Sequence, residues 1–339
     1  MPPPVRAKLL ALGFSLVLAL ALAPASMAEE NNGGLAPVDP ASPGAERITD
    51  IYWFITFFAV AIFVIVTGSL LLFLVRFRSR GRPREVEGPQ IRGNTSLELA
   101  WTALPVLILV AIAGFVFYKL PGIDNPSPAG AAAGDELEIT VKGYRFYWQY
   151  EYPNGVLALD HLRLPRDRTV EAVVTAADVE VNHSWWVPAL AGKADAIPGE
   201  ENRMRLRPTR TGTFRGYCAE LCGIQHAAML ASVEVMEREE FDRWLAAQAE
   251  AQEAGRSDLG AMTWQAACAK CHGDEAQGLV GPTLQGNPLL GDRDGLEELI
   301  RAGQGDMPPV GPDWSEQQMD ALARYVERRF GQQGDTDGG

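Results

Sequence analysis

Cysteine is scarce in this chain: four residues among 339, in two close pairs, Cys218/Cys222 and Cys268/Cys271. That is too few for a disulfide-stapled scaffold in a chain long enough to build ordinary cores, and the close pairing points instead to metal or cofactor chemistry. Positive charge is also short, with 30 Lys and Arg against 43 Asp and Glu and a formal charge of -13. Residues 241–339 carry 17 acidic side chains against 8 basic ones. A phosphate backbone is bound through clustered Lys and Arg, so the composition excludes nucleic acid as a partner and favours a cationic protein. Two stretches lack charge altogether, which excludes a uniformly soluble protein although the hydrophobic share, 47%, is near a globular average. The length exceeds what one domain needs and allows two or three.

Export and membrane signals come first along the chain. Residues 1–28 have the layout of a signal peptide: Arg6 and Lys8, the apolar run Leu9–Ala23, then Ser26-Met27-Ala28 as a small-x-small cleavage site. An uncleaved anchor is the alternative, for which the run is short. Residues 29–45 read as a short disordered lead. Ile51–Val75 is 25 residues without a charge and Leu99–Tyr118 is 20, each long enough to cross a bilayer. A transmembrane hairpin over 46–120 is therefore expected. Between the two runs Arg76, Arg78, Arg80, Arg82, Arg84 and Arg92 outnumber Glu85 and Glu87, and such a short cationic loop stays on the cytoplasmic side. Everything after residue 120 then sits outside, where the signal peptide also sends it.

Prolines and glycines mark residues 121–135 as a linker. Beyond it the apolar period becomes two. Tyr144, Phe146, Trp148, Tyr150 and Tyr152 alternate with Arg145, Tyr147, Gln149 and Glu151, and strand-like runs recur at Thr169–Thr175, Arg203–Leu206 and Ala231–Val235. An all-β sandwich over 136–238 is expected. Phe241, Trp244, Leu245 and Ala249 then keep helical spacing, which predicts a linker helix over 239–257 ending near Gly255. A final small domain spans 258–332, its last helix running from Ser315 to Phe330 with Leu322, Tyr325 and Val326 inward. The Gly/Asp tail beyond is expected to be disordered.

Cys268-Ala269-Lys270-Cys271-His272 is a C-x-x-C-H motif: two thiols spaced to add to the two vinyl groups of haem, followed by a histidine that reaches the iron. A redox-active C-x-x-C or half of a zinc site are the alternatives, but no second ligand pair lies within the domain. The sixth iron ligand is expected to be a thioether, since no histidine follows His272. Met307 stands in the Pro-stiffened loop Gly305-Asp306-Met307-Pro308-Pro309, and Met/His ligation raises the potential in a way that suits electron transfer. Met262 is too close to the attachment turn, and Met319 lies on a core-facing helix.

The other pair opens a denser cluster. Cys218, Cys222, His226 and Met229 fall within twelve residues, and His183 from an earlier loop can complete the set. Soft sulfur with imidazole selects copper or zinc, and the thioether favours copper. One Cys, two His and one Met would hold a single blue copper; with a second Cys, two thiolates can bridge two coppers. A disulfide and a structural zinc site are the alternatives, and neither uses Met229.

The pairing of Cys218-Ala219-Glu220-Leu221-Cys222-Gly223-x-x-His226-x-x-Met229 with His183-Ser184-Trp185-Trp186-Val187-Pro188 and Asp195-Ala196-Ile197-Pro198-Gly199 resembles subunit II of haem–copper cytochrome c oxidases, of the kind fused to a C-terminal cytochrome c (caa3 type). The likeness covers residues 46–332 and extends to Asn94-x-x-Leu97-Glu98-x-x-Trp101-Thr102-x-x-Pro105. It implies a two-helix transmembrane hairpin, a cupredoxin-like sandwich and an all-α class I cytochrome c domain. It further implies that Cys218 and Cys222 bridge both coppers of a CuA centre, that His183 and Met229 complete one copper, and that His226 with the backbone carbonyl of Glu220 completes the other. The Glu220 side chain would face a Mg2+ shared with subunit I, and Glu98 would lie at the entrance of a proton pathway. Cys268 and Cys271 would carry covalent haem c, with His272 and Met307 on its iron.

Two departures stand out. Phe146-Tyr147-Trp148 replaces the usual Trp-Tyr-Trp, removing the tryptophan credited with receiving electrons from soluble cytochrome c, and Glu200 follows Ile197-Pro198-Gly199 where Arg is common. His161 matches no motif and reads as a surface residue. The reading is an electron-input subunit at a bacterial plasma membrane, its CuA and cytochrome domains on the outer face. It takes electrons from cytochrome c and passes them to subunit I, where oxygen is reduced and protons are pumped. Four histidines are too few to build that catalytic centre here. A subunit of a CuA-type nitric oxide reductase is the nearest rival, and a copper-delivery module is a rival of another class.

Overall fold

The computed structural model describes residue 34 and residues 36–78, 90–125, 136–177, 181–255 and 257–331. The signal peptide, most of the cationic loop, residues 126–135 and the tail lie outside these. Two compact units emerge, Glu46–Ile123 and the remainder.

In the first unit, α1 (Pro43–Arg76) and α2 (Thr95–Lys119) contain the two uncharged runs. Their most apolar windows reach mean hydropathies of 2.8 and 2.4 with none of those residues buried, as expected of helices whose apolar surface this chain leaves uncovered. They run antiparallel: Phe54 stacks on Phe115 at 4.2 Å, and Lys119 Nζ reaches Asp50 Oδ2 at 2.6 Å. Asn94 caps α2 through an Oδ1 that accepts from Leu97 N at 3.1 Å, while Glu98 Oε1 accepts from Asn94 N at 3.1 Å. Reciprocal bonds of this kind satisfy donors that a helix start leaves open.

The second unit holds a ten-stranded sandwich: β1 (Leu137–Tyr144), β2 (Tyr147–Glu151), β3 (Leu157–Leu159), β4 (His161–Pro165), β5 (Val170–Ala176), β6 (His183–Trp186), β7 (Lys193–Ala196), β8 (Asn202–Leu206), β9 (Gly212–Cys218) and β10 (Leu230–Met236). The strands form two sheets, ordered β3-β2-β1-β5-β8 and β4-β10-β9-β6-β7. β1/β5 and β10/β4 pair parallel. Ile139, Val141, Trp148, Tyr150, Trp185 and Val233 fill the space between them in the cupredoxin-like manner. Three expectations need correction. Residues 36–45 are not simply a disordered lead, because Ala41 and Ser42 are buried, with Ala41 N donating to Ala189 O at 2.7 Å and Ser42 Oγ to Leu190 O. Pro121–Asp124, at the head of the expected linker, forms one helical turn. And the aromatic run is not one strand: a turn at Arg145–Phe146 splits it, so that Tyr144 pairs with Tyr147 and their rings stack at 4.8 Å.

The helix α3 (Arg238–Glu253) is more than a connector, for Phe241 is fully buried in the sandwich core against Tyr152. The C-terminal part is helical: α4 (Leu259–Thr263), a π-turn through Trp264–Cys268, α5 (Ala269–His272), α6 (Arg293–Ala302) and α7 (Glu316–Phe330). Ser315 caps α7, and Met319, Leu322 and Val326 are buried, with Tyr325 half-buried. This core continues into the sandwich. Tyr144, Tyr147, Leu157 and Leu159 belong to the same buried cluster as Leu259, Trp264, Leu322 and Phe330. Tyr147 was expected among the polar residues of its strand, yet it is fully buried because the helical domain covers that face: its hydroxyl donates to Val310 O at 2.8 Å and accepts from Trp314 Nε1 at 2.7 Å.

Candidate functional site

Two strand ends and one loop converge on the first cluster. His183 opens β6, Cys218 closes β9, and Cys222, His226 and Met229 come from the loop that leads into β10. The loop is pinned at its ends: Cys218 N donates to Met229 O at 3.0 Å, and Ala219 N to Ser184 O at 2.8 Å. Cys218 Sγ lies 3.9 Å from His183 Nδ1 and 3.9 Å from Cys222 Sγ. Cys222 Sγ in turn lies 3.6 Å from His226 Nδ1 and 3.8 Å from Met229 Sδ. Glu220 brings its backbone carbonyl to 3.2 Å from Cys218 Sγ, while its side chain is exposed. Both cysteines are free thiols.

All five side chains expected to ligate thus sit in one cage, and His183, Cys218, Cys222 and Met229 are buried. The hydrogen bond from Cys222, then those from His183 and the Ser184 and Glu220 backbones, hold the Cys218 thiol well below the usual thiol range against the opposing effect of burial. A lowered thiol favours the thiolate, the form that binds metal. Two sulfurs, two imidazoles and a thioether at these separations fit copper, and the thioether would stand idle on zinc.

The second cluster is built on α5. Cys268 and Cys271 are half-buried, whereas His272 is buried and its Nδ1 bonds Pro282 O at 2.8 Å. A carbonyl at Nδ1 fixes that nitrogen as the protonated one and leaves Nε2 for a metal. Desolvation, and less strongly the neighbouring Cys271, pushes the Cys268 thiol up to about 12. Met307 packs half-buried against the same cluster as Cys268 and Leu284, its loop closed by Gln304 N to Met307 O at 2.9 Å and Met307 N to Gln304 O at 3.0 Å. Met319 is spent in the core. The donor set fits a thioether-linked haem held by imidazole and thioether.

Glu98 takes part in neither cluster and caps α2 as described; His161 is exposed. The sequence reading missed residues that make room or hold position. A β-carbon on Gly281 would come 2.8 Å from His272 Cε1, and one on Gly223, where φ is +131°, would come 3.0 Å from Phe146 Cε1. Lys270 and Gln225 sit at spacer positions of the two motifs, which a motif leaves open.

Three known families match successive stretches of the chain. The family described as cytochrome C oxidase subunit II, transmembrane domain, matches residues 30–118, and its periplasmic-domain counterpart matches residues 155–236. The family described as cytochrome C oxidase, cbb3-type, subunit III matches residues 255–326. The chain is 32% identical over 319 residues to cytochrome c oxidase subunit 2 of Alkalihalophilus pseudofirmus, covering 88% of this chain and 91% of the relative. It is 33% identical over 278 residues to the subunit 2 of Bacillus subtilis, covering 77% of each. Among solved structures, the periplasmic domain of subunit II of cytochrome oxidase from Bradyrhizobium japonicum is 29% identical, covers 35% of this chain and 98% of its own, and has a TM-score of 0.33.

Proposed function

The chain belongs to the cytochrome c oxidase subunit II family, and from that premise we propose which of its residues make it the electron-input subunit of a haem–copper terminal oxidase. The observation that carries the proposal is the cage of two thiols, two imidazoles and a thioether at 3.6–3.9 Å from one another along the set. Cys218 and Cys222 would bridge two coppers, with His183 and Met229 on one and His226 and the Glu220 carbonyl on the other. Cys268 and Cys271 would bind haem c covalently, with His272 and Met307 on its iron. When bound, both groups supply one-electron chemistry.

The protein's own contribution is rigidity. His183 and Cys218 are locked into the sheet by the β6/β9 pairing at Trp185 and Cys218. The Pro282 carbonyl fixes the His272 ring, and the shared core holds the helical domain on the sandwich. A site that cannot relax keeps its ligands in place as charge changes. The exposed Glu220 carboxylate is the group available to a Mg2+ shared with subunit I, and Glu98 would open a proton path there. The expected setting is the bacterial plasma membrane with cytochrome c as donor.

Purifying the intact complex and supplying reduced cytochrome c tests this reading. Oxygen uptake, one haem c per chain and a copper signal from one unpaired electron on two equivalent nuclei are expected. A single-copper hyperfine pattern would overturn the binuclear site, and a complex that reduces nitric oxide but not oxygen would overturn the acceptor.

A further inference from the structure

The two clusters meet at a contact that neither motif marks. Gln225 is peptide-bonded to His226, and its Nε2 donates to the Lys270 carbonyl at 3.2 Å. That carbonyl carbon is bonded to the amide nitrogen of Cys271. One hydrogen bond therefore joins the immediate neighbour of an expected copper ligand to the immediate neighbour of an expected haem cysteine.

Lys270, the spacer residue of the C-x-x-C-H turn, is itself clamped to the sandwich. Its Nζ donates to Asp160 Oδ2 at 2.6 Å and to the Phe146 carbonyl at 2.9 Å. Both side chains of the ion pair are only 18% exposed. Asp160 is held from behind, because its Oδ1 accepts from Trp148 N at 2.9 Å, its own N donates to Trp148 O at 2.8 Å, and its carbonyl accepts from Ser232 N at 2.8 Å. The Phe146 ring lies against Gly223, one residue after Cys222. Tyr144 and Tyr147, by contrast, hold Asp313, Val310 and Trp314 rather than the attachment turn.

Resting on the assignment of the two centres given above, we propose that the Gln225–Lys270 hydrogen bond is the junction through which electrons cross from the haem domain to the copper-ligand loop, with the Lys270–Asp160 ion pair as its clamp. The step moves one electron: the haem iron goes from Fe(II) to Fe(III), the copper pair is reduced by one, and no bond is made or broken and no proton moves. Gln225 and Lys270 are positioning residues, since neither side chain occupies a ligand position.

The test uses the full chain in its complex, with electrons photoinjected at the haem and the arrival at copper followed spectroscopically. Gln225→Leu removes the donor and is expected to slow the transfer about threefold, and Lys270→Met, which removes the stronger charge-assisted clamp, about tenfold. Lys270→Arg is expected to restore the rate. The haem and copper potentials and spectra should be unchanged in all three, which a general loosening of either site would not allow. Amide exchange at Phe146 and Gln225 should quicken in Lys270→Met and not in Lys270→Arg. Variants with both centres intact that transfer at the parental rate would overturn the junction alone. A parent chain lacking the copper pair or the haem would overturn the assignment of the centres beneath it.

Discussion

Gly143 and His183 meet from opposite sheets so closely that a β-carbon on the glycine would lie 2.9 Å from His183 Cδ2 and 3.1 Å from its Cγ. The imidazole at the copper cage is thus seated in space that β1 leaves by having no side chain there. Gly143→Ala would force the ring out of that seat, and overpacking of this kind costs about 1–3 kcal/mol. Copper content per chain should fall while haem content stays at one. Full copper loading with an unaltered signal would show that the ring can move without loss.

The cage and its seat differ in how far the sequence reveals them. Cys218, Cys222, His226 and Met229 lie within one short segment, and His183, 35 residues before Cys218, is identifiable because histidine is so rare in the chain. The membrane helices and about half of the strands, β2, β5, β8 and β10 among them, are legible for a similar reason, since hydropathy and alternation are local properties. Tyr147 was not, because its burial depends on a domain more than 100 residues later in the chain. The same holds for Asp160 and Lys270, whose 110-residue separation leaves no local pattern.

Cys222 is in contact with both His226 and Met229, which separates two kinds of ligand by substitution. Cys222→Ser would replace the soft sulfur proposed to bridge the coppers with a hard oxygen and should abolish the signal shared by two nuclei. Met229→Leu would remove only the thioether, proposed as the weakest ligand, so both coppers should stay bound while the potential shifts. Metal analysis with spin resonance and potentiometry reads both outcomes. A shared signal surviving in Cys222→Ser would contradict the bridging role.

For the haem, attachment and potential should come apart. In the proposed site, attachment would depend on Cys268 and Cys271, whereas the thioether of Met307 would set the potential. Met307→Ala should keep haem covalently bound through denaturation, lower its potential and open the iron to added ligands such as imidazole or cyanide. Should the potential hold and ligands remain excluded, the sixth ligand is another residue.

The Tyr147 hydroxyl ties the sandwich to the helical domain through Val310 O and Trp314 Nε1. Tyr147→Phe strands a buried indole N–H and a buried carbonyl, and an unsatisfied buried group costs about 1–3 kcal/mol. Thermal unfolding followed at the haem absorbance should therefore shift downward, with the copper signal at low temperature unaffected. An unchanged midpoint would mean that water replaces the hydroxyl at no loss.

Electron entry should depend on salt. The cations of the helical domain are largely engaged internally: Arg293 binds Glu297, Glu316 and Asp320, Arg301 binds Glu297, and Arg329 binds Glu275 at 2.6 Å. Asp274, Asp294, Glu298 and Asp306 remain exposed, two of them close in sequence to His272 and Met307. Their field would draw a basic cytochrome c toward the haem edge, an effect that salt screens over about 8 Å at physiological ionic strength. Oxidation of a basic donor by the complex should slow as salt rises, and Asp274→Asn with Asp306→Asn should flatten that dependence while leaving turnover with a small neutral reductant unchanged. If the acidic surface serves solubility alone, the rate will not fall with salt and the double variant will behave as the parent.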